Sequence, residues 1–142
     1  MSKINQSARV VLFKEGEKAT KLYMVKYGKV LCLKGSKDRL IPVFMAQEGD
    51  IVGESAMIDD ISYTYSAITL TPVELVEIPH ANFKQVLSSA PSWLTDLTAT
   101  MISRFQSTAH LIAENRVIHP LIMEDDQFNS ATEVDFKKLL NQ

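Results

Sequence analysis

Glu48-Gly-Asp-Ile-Val-Gly-Glu-Ser-Ala-Met-Ile58 is the stretch whose reading decides the fold. It holds a glycine turn at Gly49 and Asp50, two β-branched residues, a second glycine at Gly53, and then Glu54-Ser-Ala-Met57. Gly53 has access to backbone angles closed to other residues and lets a ligand come close to the main chain. Glu54 to Ile58 reads as one short helical turn whose first N–H groups have no internal partner and point outward. Strand, glycine and helix N-terminus in that order make an anion-cradling arrangement in many folds. A lone Gly-Glu pair is common at strand ends, so the flanking residues decide what this one is.

Upstream, Ala8 to Phe13 is apolar and β-branched, and Lys14-Glu-Gly-Glu17 turns. Thr20 to Tyr27 alternates in part, with Leu22 and Met24 set against Lys21 and Lys26, the pattern of a half-buried strand. Tyr27-Gly-Lys29 reads as a tight turn into a strand at Val30 to Leu33, and so as a hairpin. Gly35 to Arg39 is polar and exposed in character, and Leu40 to Met45 is another strand. Downstream, Asp59 to Ser62 is a loop. Tyr65 to Leu70 and Val73 to Ile78 are strands separated at Pro72, which cannot donate to a ladder. Short strands with frequent turns predict an antiparallel sandwich or barrel.

After Pro79-His80 the period changes. Phe83, Val86 and Leu87 fall at helical spacing, and Pro91 opens a longer helix with Ser89 or Ala90 before it. Leu94, Leu97, Met101, Phe105, Ala109 and Ile112 then recur every three or four residues towards Val117, a stripe that suits a sheet or a partner helix. Pro120 stops it. Thr132 to Leu140 carries acids early and lysines late, as a short amphipathic helix does.

A chain of 142 residues predicts one domain with a real core. Its 46% apolar and 23% charged content fits a soluble globular protein. No run approaches the roughly 18 apolar residues of a membrane helix, and Met1 to Arg9 lacks the apolar stretch of a secretory signal. Cys32 is the sole cysteine, so no internal disulfide forms and a cytoplasmic protein is predicted. The net charge of −2 hides an asymmetry: ten basic residues against three acids in residues 1–40, five against fourteen in 41–142. The lysines alternate with apolar residues, as on solvated strand faces and guarded edges, so neither a nucleic-acid nor a membrane partner is predicted.

The order of these parts resembles the cyclic nucleotide-binding domain family, the β-roll of the bacterial cAMP receptor protein and of the regulatory subunit of protein kinase A. The resemblance covers about residues 8–118. It rests on Gly16, Leu22-Tyr-Met-Val25, Gly28-Lys-Val30, Gly49-Asp-Ile-Val-Gly-Glu-x-Ala-Met57, Thr71, Leu75, Ile78, Phe83, Pro91 and Arg104-Phe-Gln-Ser-Thr108. The implied fold is α+β and mainly β: an antiparallel β-roll or jelly roll of about eight strands, then a short helix and a long C-terminal helix. Residues 1–118 are the implied domain and 119–142 a tail. By the same resemblance, Gly53 and Glu54 open a phosphate-binding cassette, and Glu54 accepts from a ribose 2′-hydroxyl. The amides around Ser55, Ala56 and Met57 face the cyclic phosphate, and Thr108 touches the base. The long helix pairs two subunits, which makes Leu97, Met101, Phe105, Ala109 and Ile112 the expected homodimer face.

The family's cassette ends with an arginine on the phosphate, and here that place falls on Tyr63, with Thr64 beside it. No Lys or Arg occurs between Arg39 and Lys84, an interval that carries seven acids. Losing a charge-assisted pair costs roughly 1.5–3 kcal/mol per hydrogen bond, and the local field is negative rather than positive. Tight binding of a cyclic nucleotide is therefore disfavoured, and Tyr63 and Tyr65 are left to fill the vacated space or stack on another ligand. The residues after Pro120 are too few for a helix-turn-helix domain. His80, His110 and His119 lack metal-site spacing, no cofactor motif occurs, and no Ser or Cys sits in a nucleophile setting. The expectation is a non-enzymatic regulatory or scaffold module acting on an unidentified protein partner. The alternative is a sensor that holds a cyclic nucleotide or related molecule in a modified pocket.

Overall fold

Val30, Leu31, Cys32 and Leu33 are all fully buried, which a strand with one wet face does not allow. The segment is covered on both sides, and that double burial organises the molecule. The computed structural model describes residues 1–58, 61–115 and 128–141. Its strands are Ser2–Gln6 (β1), Val11–Phe13 (β2), Lys21–Tyr27 (β3), Val30–Ser36 (β4), Arg39–Ala46 (β5), Ile51–Val52 (β6), Ser66–Thr69 (β7) and Val73–Pro79 (β8). One antiparallel sheet runs β1-β8-β3-β6 and the other β2-β7-β4-β5. Val25, Cys32, Ile41, Val52, Ala67 and Leu75 close the space between them as one apolar core. This is the antiparallel sandwich expected from the spacing of strands and turns, and the β-roll that the resemblance implies.

The expected hairpin at Gly28 does not form. β3 pairs with β6 and β8, whereas β4 pairs with β5 and β7, so Gly28 carries the chain from one sheet to the other. It does so with φ +87° and so close to the next segment that a Cβ there would lie 2.3 Å from the Pro72 carbonyl oxygen. The true hairpin joins β4 to β5 at Lys37 and Asp38, inside the segment read as an exposed loop. β1 was also unforeseen: in Ser-Lys-Ile-Asn-Gln only Ile4 packs against the core, too little for a pattern.

His80–Ser88 (α1) and Ser92–Glu114 (α2) follow β8. The stripe along α2 divides. Phe105, Ala109 and Ile112 lie against the roll, Ala109 being buried within the monomer, and Leu97 and Met101 are exposed together with Trp93. Of the residues expected at a homodimer face, Leu97 and Met101 are therefore open to solvent, whereas Phe105, Ala109 and Ile112 are taken by the roll. Pro120, His119 and the segment 121–126 lie outside the described residues, as do Asp59 and Asp60.

Ser130–Leu140 (α3) forms where a short helix was expected, and its anchoring explains the second covered face of β4. Asn129 caps it reciprocally with Thr132. Phe136 and Phe128 pack with Leu31, Leu33 and Ile68 on the outer side of the second sheet. The Glu133 carboxylate accepts from Arg39 Nε at 2.9 and 3.2 Å and from the Leu40 N–H at 2.9 Å. Burial alone would push this carboxyl up. The hydrogen bonds from Arg39 and Leu40, with the charges of Arg39 and Lys137, outweigh it and hold the carboxyl below the ordinary range. A depressed carboxyl contributes stability that is in place above its unfolded pKa of about 4.3 and is lost as pH falls through the lower folded value. Glu133→Gln is expected to lower the urea midpoint at neutral pH and to flatten its fall below about pH 4.

Candidate functional site

The Gly53 turn is the candidate ligand site that the sequence singles out. Gly53 takes φ +83°, and a Cβ there would sit 3.2 Å from the Lys21 carbonyl oxygen, 3.2 Å from Phe13 Cε1 and 3.3 Å from Tyr63 Cε1. Glu54–Met57 then make a single 3-10 turn. The Ala56 N–H donates back to Gly53 O at 3.0 Å and the Ile58 N–H to Ser55 O at 3.1 Å. Ser55 is buried, and its Oγ faces Gln106 Nε2 of α2 at 3.3 Å. The Ala56 carbonyl meets His80 Nδ1, which must carry the proton of that bond. Met57 is half-buried against the core.

Two tyrosines close the cradle from inside. The Gly53 N–H donates to Tyr65 Oη at 2.9 Å, and Tyr65 Oη donates in turn to Glu54 Oε2. Tyr63 is buried and stacks on Phe13, with ring centroids 4.0 Å apart. Its hydroxyl donates to the Lys21 carbonyl at 2.5 Å and accepts from the Lys21 N–H at 3.2 Å. Tyr65 meets Phe44 and Phe105 edge-on at 5.9 and 6.0 Å, so the long helix plugs the same space. Burial pushes the Glu54 carboxyl up, and the Tyr65 hydrogen bond pulls part of the way back. Burial first, and then the neighbouring thiol and carboxyl, push the Tyr65 hydroxyl well up, so it stays a donor. Among the described residues, Glu54 Oε1 and Thr64 Oγ1 are buried without a hydrogen-bond partner.

The remaining expected residues are placed unevenly. The Thr64 carbonyl accepts from Lys34 Nζ at 2.7 Å, an ammonium that also holds Glu15 at 3.0 Å. A cation does reach this loop, therefore, from β4 rather than from the cassette, and it is already paired. Arg39 serves Glu133. Thr108 does not face the cassette: it is exposed, and its hydroxyl donates to the Arg104 carbonyl one turn back. Phe105 and Gln106 are the α2 residues that meet the site, because helical geometry turns Thr108 away from the face that Ala109 buries. Phe13, His80, Lys34 and Gln106 carried no signal in the sequence that tied them to Gly53. Among the described residues no cluster of His, Cys, Asp or Glu could hold a metal, and no helix is long and apolar enough to cross a membrane.

A two-sheet β-roll with a glycine-opened 3-10 turn and a long packed helix is the fold of a cyclic nucleotide-binding-type domain. The family model described as "Cyclic nucleotide-binding domain" matches residues 5–90, and the chain belongs to that family. It is 31% identical over 110 residues to the cAMP-activated global transcriptional regulator CRP of Haemophilus influenzae, covering 74% of this chain and 48% of that protein. To the regulator of the same name in Pasteurella multocida it is 28% identical over 109 residues, covering 75% and 52%. The chain thus spans about half the length of the curated relatives it matches. Among solved structures, the EAL enzyme Bd1971 in its cAMP-bound form superposes with TM-score 0.69 at 24% identity, covering 78% of this chain and 30% of that one. The regulatory subunit of a cAMP-independent protein kinase A from Trypanosoma brucei gives 0.59 at 19%, covering 69% and 36%. These structural likenesses show the fold alone.

Proposed function

We propose that this chain is a non-enzymatic regulatory module whose nucleotide cradle is closed by its own tyrosines, and that it acts through protein contacts rather than by gripping cyclic AMP or cyclic GMP. The observation that carries this reading is the Gly53–Tyr65–Glu54 chain of hydrogen bonds, with Tyr63 stacked against Phe13 beside it. Glu54 Oε2 and the Ala56 N–H are used internally, and no guanidinium stands at Tyr63 or Thr64 to hold a cyclic phosphate in their place. The same fold occurs in a structure described as cAMP-bound and in one described as cAMP-independent. Fold alone does not fix the ligand, and the side chains that fill the cradle support this reading. The curated relatives are transcriptional regulators, so the expectation that nucleic acid is absent from the whole protein's partners finds no support among them.

Millimolar cyclic AMP over a micromolar site would add about 4 kcal/mol to the folded state. Thermal melts with and without it are expected to coincide. The protein contact we favour is a homodimer through the exposed part of α2, where Trp93 (62% exposed), Leu97 (47%) and Met101 (62%) stand one turn apart. Changing both Leu97 and Met101 to Asp is expected to turn a dimer into a monomer in sedimentation while leaving the melt within a few degrees. A sedimentation profile that the double change does not move would remove this face from the interface.

A second reading has one observation in its favour. Glu54 Oε1 is a buried acceptor without a partner among the described residues, and a small molecule offering a hydroxyl would satisfy it. Such a ligand would travel with the purified protein and be seen by native mass spectrometry.

A further inference from the structure

The docking of α3 on the second sheet is built like a recognition site, and nothing in the cradle needs it. Its floor is Leu31, Leu33 and Ile68, all fully buried under the helix. At one end of the helix, the Arg39 guanidinium and the Leu40 N–H converge on a single carboxylate, Glu133, which is 7% exposed. One turn on, Phe136 is fully buried, lying flat on Phe128 with the Arg9 guanidinium 4.9 Å from its ring centroid. The sheet therefore presents two cationic side chains and a strand amide around an apolar floor, and reads an acid followed three residues later by a phenylalanine. An isolated helix of this length is marginal in water, so α3 owes its order to the sheet. It also carries its own capping box, which makes it a self-contained plug rather than a continuation of α2.

We propose that this outer face is a helix-recognition surface filled in cis by α3, and that its partner in trans is an amphipathic helix of the same pattern, with a carboxylate one turn ahead of a phenylalanine. α3 then acts as the tethered competitor that keeps an apolar sheet face out of water until such a helix displaces it. The surface is separate from α2 and from the cradle, so it stands or falls independently of the reading proposed above.

Charge reversal tests it on the full chain. Glu133→Arg breaks the cis contact and leaves the Arg39 site intact; Arg39→Glu breaks the same contact and reverses the site. A fluorescent peptide of residues 128–141 is expected to bind the Glu133→Arg chain at least about tenfold more tightly than the Arg39→Glu chain, because only the former keeps the guanidinium that receives the peptide's carboxylate. The peptide carrying Glu133→Arg should show the opposite preference. Equal binding of both peptides to both chains, or none to either while circular dichroism shows the roll intact, would overturn the proposal. The native chain, its site already filled, is expected to bind the native peptide more weakly than the Glu133→Arg chain does. Tighter binding by the native chain would equally overturn it.

Discussion

Phe136→Ala is expected to be the most destabilising single change in the C-terminal region, at about 3–5 kcal/mol. The side chain is fully buried on the outer face of the second sheet. Truncation removes its stacking on Phe128 and its contact with Arg9, and it leaves a cavity over Leu31, Leu33 and Ile68. The roll beneath cannot collapse to fill it, because its strands are held by ladders on both sides. Urea denaturation measures the loss. Limited proteolysis within α3 should accelerate in parallel, because undocking exposes the helix before the roll opens. Val134 on the same helix is half exposed, and Val134→Ala should stay within about 0.5 kcal/mol of the native midpoint. A Phe136→Ala midpoint inside that same margin would mean that α3 does not rest on the sheet as described.

Tyr65→Phe carries the second large effect, roughly 2–4 kcal/mol. It deletes one hydroxyl and strands two buried groups, the Gly53 N–H and Glu54 Oε2, each worth about 1–3 kcal/mol when left unpaired. The pH dependence gives a signature that simple loss of packing would not. Burial already raises the Glu54 carboxyl, and the Tyr65 hydrogen bond opposes the rise, so removing the hydroxyl raises it further. An acid raised in the folded state favours folding most below its unfolded pKa, about 4.3, and that contribution is lost as pH rises through the folded value. The destabilisation by Tyr65→Phe is therefore expected to shrink as pH falls, and to do so at higher pH than that of Glu133→Gln, whose carboxyl is depressed rather than raised. Carboxyl carbon shifts of Glu54 against pH read the change directly. A Glu54 titration that Tyr65→Phe leaves where it was would show that the hydroxyl does not serve that carboxylate.

The parts of this molecule legible from its residues are those written in local order. Glycine turns, alternating strands and the switch to helical spacing after Pro79 place the roll and both of its following helices. Thr132 to Leu140 announces α3 by its charge gradient. Pairings between distant segments are another matter. Gly28 reads as a hairpin turn because its neighbours look like hairpin strands, and only its approach to Pro72 shows that it crosses between sheets. The Arg39–Glu133 bond joins residues 94 apart, and no local pattern announces it. In the cradle, the missing arginine and the two tyrosines were visible at Tyr63, Thr64 and Tyr65. Which tyrosine serves Gly53 and Glu54, and which stacks on Phe13, depends on where β2 and β7 lie, and so had to be seen. Thr108 lies exposed while Phe105 and Gln106, three and two residues earlier on the same helix, meet the cradle, a choice of face that depends on how α2 packs.

Isothermal titration of the native chain with cyclic AMP, then cyclic GMP, is the direct test of whether the cradle is closed. With Tyr65 holding Gly53 and Glu54, and Tyr63 seated on Phe13, no saturable heat is expected up to millimolar nucleotide. One site per chain at micromolar affinity or tighter would contradict it, and would mean that both tyrosines yield to the ligand.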